Sequence, residues 1–168
     1  MALSMHQVSV PVFERTLKAL SNCLDKAAAH AEANKIDPLA LTSFRLYPDM
    51  FPFARQVQFS TDHAKGAPAR LAGIEVPKYD DVETTIPELK ARIARTLDFI
   101  ASIDPKKMDG AEDREIKMMA AGKERVFTGY SYLFGHALPN FFFHATTAYD
   151  MLRHNGVVLG KRDFLNNP

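Results

Sequence analysis

The sequence predicts an all-α fold, a four-helix bundle with a small β-hairpin inserted between its third and fourth helices. Three observations carry that prediction. Four stretches repeat apolar residues at alternating steps of three and four. Capping and breaking residues stand at the ends of those stretches. One region between them instead shows two short, partly alternating runs.

The first stretch places Leu3, Val10, Phe13, Leu17, Leu20, Leu24, Ala27 and Ala31 on one stripe. Pro11 lies inside it and removes a backbone donor, so the helix is expected to kink there, with a start at that point as the other possibility. Asn34-Lys35-Ile36-Asp37-Pro38 ends it, because a residue before proline is pushed out of the helical region. A short connection follows through Leu46.

Asp49 is expected to cap the second helix, with Pro52 in its opening turn. Its stripe runs Phe53, Val57, Ser60, Ala64, Ala67 and Leu71, and Gly73 stands where helices commonly terminate. Residues 74–84 read as a loop. Thr85-Ile86-Pro87-Glu88 is a capping box with proline just inside it, and it opens a third helix whose buried line is Ile86, Leu89, Ile93, Leu97 and Ile100. Asp104-Pro105 stops that helix.

Glu115-Ile116-Lys117-Met118 and Lys123-Glu124-Arg125-Val126-Phe127-Thr128, separated by Ala120-Ala121-Gly122, read as the hairpin. Leu138-Pro139-Asn140 then opens the fourth helix, whose line is Leu138, Phe141, Ala145, Ala148 and Leu152. Asn155-Gly156 closes it after Arg153 and His154, as the helix dipole prefers. The tail from Val157 to Pro168 is expected to dock only in part.

The chain has 168 residues, 46% of them hydrophobic and 24% charged, which fits one domain over residues 1–168 with a core large enough to need no disulfide or structural metal. The 21 basic and 20 acidic side chains are interleaved and leave a formal charge of +1, so a clustered basic face for nucleic acid is not expected. The single cysteine, Cys23, permits no internal disulfide and suits a reducing compartment. The segment Met1-Ala2-Leu3-Ser4-Met5-His6-Gln7 shows neither a basic region nor an apolar core, and no apolar run approaches a membrane span. A cytoplasmic protein is the expectation.

Bundles build ligand and metal sites from side chains that project inward from facing helices. His6, His63 and His144 lie on or beside apolar stripes, and three imidazoles on different helices could hold a divalent metal such as zinc or nickel. A histidine pair spaced by four would be the stronger helical signature. Here the positions four from His144 are Asn140 and Ala148, so imidazoles hydrogen-bonded to neighbours are the competing reading.

Asp62, Lys65 and Arg70 surround His63 in sequence and could position an anion, the arginine by a bidentate contact, or could form a solvated face. Phe141, Phe142 and Phe143 with Tyr130, Tyr132 and Phe134 could line an apolar pocket, a core or a subunit interface. Cys23 reads as a small packed side chain. No phosphate loop, nucleophile elbow or paired-carboxylate motif is present, and no catalytic residue is assigned.

The run from Ala137 to Val157, followed by Gly160-Lys161-Arg162-Asp163-Phe164-Leu165, resembles the signature of an uncharacterised domain-of-unknown-function family within the DinB/YfiT-like four-helix-bundle superfamily. Asp62 to Gly73 and Pro11-Val12-Phe13 extend the resemblance over essentially the whole chain.

The resemblance implies an up-down-down-up bundle, assembly as a homodimer, and, in metal-binding members, one histidine on helix two with a histidine pair on the last helix. His63 matches the first position and His144 one member of the pair, while the other member is absent. The favoured expectation is therefore a small-ligand-binding bundle with a degenerate or absent metal site, its pocket drawn from His63, Arg70, Asn140, His144 and Tyr149, with Thr147 beside Tyr149. The alternative is a divergent metal-dependent hydrolase or thiol transferase using His63 and His144, with Asn140 or His6 completing the shell.

Overall fold

The structure is a computed structural model that describes residues 3–120 and 122–167. Met1, Ala2 and Pro168, and Ala121 of the expected hairpin turn, lie outside the described residues.

Four long helices carry the core: α1 (Val10–Asn34), α3 (Phe53–Ala72), α4 (Ile86–Ala101) and α6 (Leu138–His154). Short pieces join them, namely α2 (Pro38–Thr42), the antiparallel pair β1 (Glu115–Ala120) and β2 (Lys123–Thr128), α5 (Gly129–Tyr132) and α7 (Lys161–Phe164). The strands pair from Glu115 opposite Thr128 to Ala120 opposite Lys123, as the two alternating runs predict. No helix of the described residues is long and apolar enough to cross a membrane.

Every stripe residue from Val10 to Ala31 on α1 and from Phe53 to Leu71 on α3 is buried. Phe13 meets Phe141 of α6 edge-on, with ring centroids 4.8 Å apart, at the centre of the core. Such T-shaped pairs add ~1 kcal/mol to the area they bury. Cys23 is packed among these side chains, and burial, followed by the charge of Asp163, pushes its thiol up to about 11.

Several expected boundaries are corrected. Pro11 does not kink a longer helix. It lies in the first turn of α1, where a missing N–H costs nothing, and Leu3 is exposed outside the stripe. Pro52, not Asp49, is the N-cap of α3, so the helix begins at Phe53. The connection before it contains a short helix of its own, α2, capped by Asp37 through the Leu39 N–H at 2.9 Å.

Gly73 ends α3 in the left-handed conformation and the Thr85–Glu88 box opens α4, both as expected. Asp104 caps not the end of α4 but a following 3-10 turn, Pro105–Met108. The tail docks more fully than expected. Val157 and Leu159 are buried, Lys26 pairs with Asp163 at 2.6 Å, and Arg15 donates to the Leu165 carbonyl at 2.8 Å.

The largest correction concerns the fourth helix. Leu138 begins α6 as expected, with Pro139 in its first turn, but the chain is already helical before it. The chain turns helical at Gly129, capped by Thr128, and runs through a π turn at Leu133–Ala137 into α6. Pro139 has no N–H for the Gly135 carbonyl, and its ring crowds that carbonyl. The wider π turn accommodates the misfit without breaking the helix.

The segment 74–84 is a loop, but a tightly held one. Arg92 of α4 is 3% exposed. It donates to Thr61 Oγ1 at 2.7 Å, to the Asp80 carbonyl at 3.0 Å and to Glu83 at 3.1 Å. It also pairs with Asp62 at 2.8 Å and Asp81 at 3.0 Å. Lys65 pairs with Asp62 and lies over the Tyr79 ring. Asp62 and Lys65 therefore belong to this buried network and form neither a solvated face nor an anion clamp beside His63.

Candidate functional site

Along α3, Gln56, Phe59, His63, Gly66 and Arg70 recur at steps of three and four, so they share one face. Along the helix from Gly129, Tyr132, His136, Asn140 and His144 recur at steps of four. The two rows meet as an antiparallel ladder. Arg70 donates from Nη1 to the Tyr132 hydroxyl at 3.1 Å. His63 lies between His136 and His144, with ring centroids 5.9 and 5.8 Å away. His144 and Gln56 close the other end, Nδ1 to Oε1, at 2.7 Å.

His136 was not among the residues singled out from the sequence. Its signal was the four-residue spacing to Asn140 and His144, hidden because Pro139 reads as a helix start. The π turn keeps that stretch helical and brings the ring beside His63, Tyr132 and Phe127.

Asn140 donates from Nδ2 to the His136 carbonyl at 2.7 Å and so supports the π turn. Gln56 donates its amide to the Phe51 carbonyl at 3.2 Å, which turns its oxygen toward His144. His144 therefore carries its proton on Nδ1 and presents a lone pair at Nε2. Phe59 stacks on the same ring at 4.8 Å, and Arg55 lies over Phe59 at 4.5 Å.

The other expected pocket residues lie elsewhere. Tyr149 packs edge-on against Phe164 at 5.5 Å, and its hydroxyl accepts from Arg153 at 3.4 Å. Thr147 donates to the Phe143 carbonyl of its own helix at 2.7 Å. His6 lies in the turn before α1, where its carbonyl accepts from the Val10 N–H. Of the aromatic group, Phe141 and Tyr132 are core, whereas Tyr130, Phe134, Phe142 and Phe143 are exposed.

All three imidazoles of the row are held neutral. Burial lowers His63 to about 3, with His144, His136, Arg70 and Lys65 adding to the effect. His144 falls to about 4 through burial and then Arg55. His136 is lowered by burial, then by Arg125 and Arg70. Burial raises the Tyr132 hydroxyl, opposed by Arg70.

Among the described residues the hydrogen bonds leave His63 without a side-chain partner, yet no buried side-chain nitrogen or oxygen lacks one. The His63 nitrogens are therefore not fully enclosed, in the trough where α3 and α6 face each other. A cleft of about 220 Å³ lies apart from this row, beside Arg55, Gln58, Asp81 and Glu83.

The three imidazoles do not fit one metal ion. Rings sharing an ion must lie within roughly 6.5 Å of one another, given bonds of about 2 Å to each ring nitrogen. His136 and His144 are separated by about 12 Å of helix rise. His63 stands between them, so the rings form a row and not a shell. Among the described residues no group of three or more His, Cys, Asp or Glu side chains converges on a metal-holding point.

Comparison with known proteins places the chain in a family and beside solved structures. The sequence profile of a family described as "Domain of unknown function (DUF1993)" covers residues 5–165. The crystal structure of a DinB family member from Shewanella denitrificans superposes with a TM-score of 0.87 at 42% identity, over 96% of this chain and 91% of that one. No curated protein matches the chain.

Proposed function

From the premise that the chain belongs to the DUF1993 family and is a DinB-like bundle, we propose that it binds a small ligand in the trough between α3 and α6, without a metal held by its three histidines. One observation carries this reading: His63 is half-buried between two neutral imidazoles, unpartnered among the described residues, and its nitrogens are not fully enclosed. A neutral imidazole offers one donor and one acceptor. Three in a row, ended by Arg70 and Gln56, form a graded polar strip beside the aromatic rings of Phe59, Phe127 and Tyr132. That combination of a few convergent polar groups with an apolar wall suits a small organic molecule.

The second reading, a metal-dependent hydrolase or thiol transferase, is favoured by one distance, the 5.8 Å between His63 and His144. Two rings so placed could share an ion. They would leave most of its coordination sphere to water or to the Asn140 oxygen, a weak donor for transition metals.

The test is elemental analysis of protein purified without an affinity tag, followed by zinc and nickel titration of the native chain, His63→Ala and His144→Ala. The ligand reading expects metal-free protein, no saturable uptake at equimolar metal, and imidazole NMR signals that shift on addition of small aromatic probes. Near-stoichiometric metal lost in both variants would establish the second reading instead.

A further inference from the structure

Arg70 is the cation of the trough. It is half-buried, it donates to the neutral Tyr132 hydroxyl, and among the described residues no carboxylate lies within ion-pair distance of it. The other buried or half-buried cations of α3 and α4 are matched: Arg55 with Asp81 at 2.5 Å, Lys65 with Asp62, and Arg92 with Asp62, Asp81 and Glu83. Asp62 is next to His63 in sequence, but its carboxylate is held on the far side of α3 by Lys65 and Arg92.

The guanidinium has a built seat. Gly66 lies one turn before it, and a Cβ added there would stand 2.5 Å from Arg70 Nη1. Glycine inside a helix is less favourable than alanine. Here the bare backbone lets the guanidinium lie back along α3 toward Tyr132, with its Cζ 5.8 Å from the centroid of that ring. Phe127, Tyr132 and His136 stand together with centroids 5.6 to 5.8 Å apart and make an aromatic wall next to it. The charges that act on His63, His136 and His144 are those of Arg55, Arg70, Arg125 and Lys65 and of the rings themselves, with no acid among them.

Resting on the small-ligand reading, we infer that this end of the trough is a carboxylate site: Arg70 takes a small planar aromatic acid through its free guanidinium edge, His63 and His136 donate from the flanks, and the half-buried Phe127 ring packs on the ligand's ring. A guanidinium matches a carboxylate with two parallel N–H bonds, a geometry that a single ammonium does not reproduce. The unmatched charge and the neutral imidazoles give such an acid a partner that no protein side chain supplies.

The experiment titrates the full chain with benzoate, with benzamide and with inorganic phosphate. Binding is followed by calorimetry and by the imidazole nitrogen signals of His63 and His136. Benzoate is expected to bind at least about tenfold more tightly than benzamide, the size of one charge-assisted hydrogen-bond pair. Arg70→Gln should bring benzoate down to the benzamide level. Tyr132→Phe, which removes the hydroxyl partner and keeps the charge, should retain the preference for the acid. An unchanged melting temperature for Arg70→Gln shows that its loss of binding is not loss of fold, and Arg70→Lys, which keeps the charge, supports the fork if it recovers only part of the affinity.

Equal binding of acid and amide, unaffected by Arg70→Gln, overturns the carboxylate site and leaves the small-ligand reading standing. Phosphate binding more tightly than benzoate overturns the planar-acid assignment. Absence of any response to benzoate overturns the inference outright, and the benzamide titration then judges the wider reading separately.

Discussion

The rings of His63 and His144 lie nearly parallel, 13° apart in plane with centroids separated by 5.8 Å, one from each of the two helices that face each other across the trough. Gln56 fixes the second ring by its Nδ1 bond, and burial keeps both uncharged. A proton on either ring would be a buried charge beside Arg70 or Arg55, and protons on both would set two positive rings against each other.

The pH dependence of stability follows. His63 titrates near 6.5 in the unfolded chain and at about 3 in the fold, so below pH 6.5 the unfolded state binds more protons. Stability therefore falls as pH drops through 6.5 and keeps falling toward 3, by up to about 1.4 kcal/mol per pH unit for this ring. Above pH 7 the ring contributes no slope. Urea unfolding at pH 7.0, 6.0 and 5.0 should show the decline, and His63→Gln should make it shallower, leaving the part that His144 and His136 contribute. Equal slopes in the two proteins would refute the assignment.

Gly66→Ala is expected to stabilise the fold by up to ~1 kcal/mol through helix propensity, because the atom it meets is the far end of a flexible side chain. It should also displace the Arg70 guanidinium from its seat. Thermal melting and benzoate titration of the same variant check both halves, with stability up and affinity down.

Gly129→Ala meets the opposite circumstance. An added Cβ would overlap the Ala111 carbonyl oxygen and crowd the Leu71 side chain, and a backbone atom cannot swing aside. Overpacking of this kind costs about 3 kcal/mol. Since Gly129 starts the helix that carries His136, the histidine row should be disturbed with it. Imidazole spectra alongside chemical denaturation will show the two effects together.

Replacing Arg92 by Met removes the centre of a network and leaves Asp62, Asp81 and Glu83 without their shared cation. The acids are partly exposed and Lys65 and Arg55 remain on Asp62 and Asp81, so stability should fall by less than the roughly 3 kcal/mol of breaking a fully buried pair. Burial works to raise the Asp81 carboxyl, but its bonds and charge interactions with Arg55 and Arg92 hold it below the usual carboxylate range. Without Arg92 it should titrate higher, read by carboxyl-carbon NMR, and the 74–84 loop should exchange its amide protons faster.

The stripes of apolar residues on α1, α3, α4 and α6 determined the bundle by themselves, because a helix with one apolar face has to bury it against others. The Thr85–Glu88 box, Gly73, Asn155-Gly156 and the hairpin runs were equally legible, since capping and strand pairing are set by residues within a few positions. His63 and His144 could be singled out for the same reason: each sits beside a stripe.

What only the tertiary structure decided depends on contacts between distant segments. Pro139 carries the same local signal as Pro11, yet one lies within a continuous helix and the other in a first turn. Packing of the helix from Gly129 against α3 holds the π turn open, and that turn admits His136 to the row. The partners of Asp62 and Lys65 were likewise undecidable in sequence, because Arg92 lies 30 residues from Asp62 and reaches it only after α4 packs on α3. That pairing leaves Arg70 without an acid partner among the described residues. Periodicity shows which face of a helix turns inward, but the choice of partner for a charge on that face is made by the neighbouring helix.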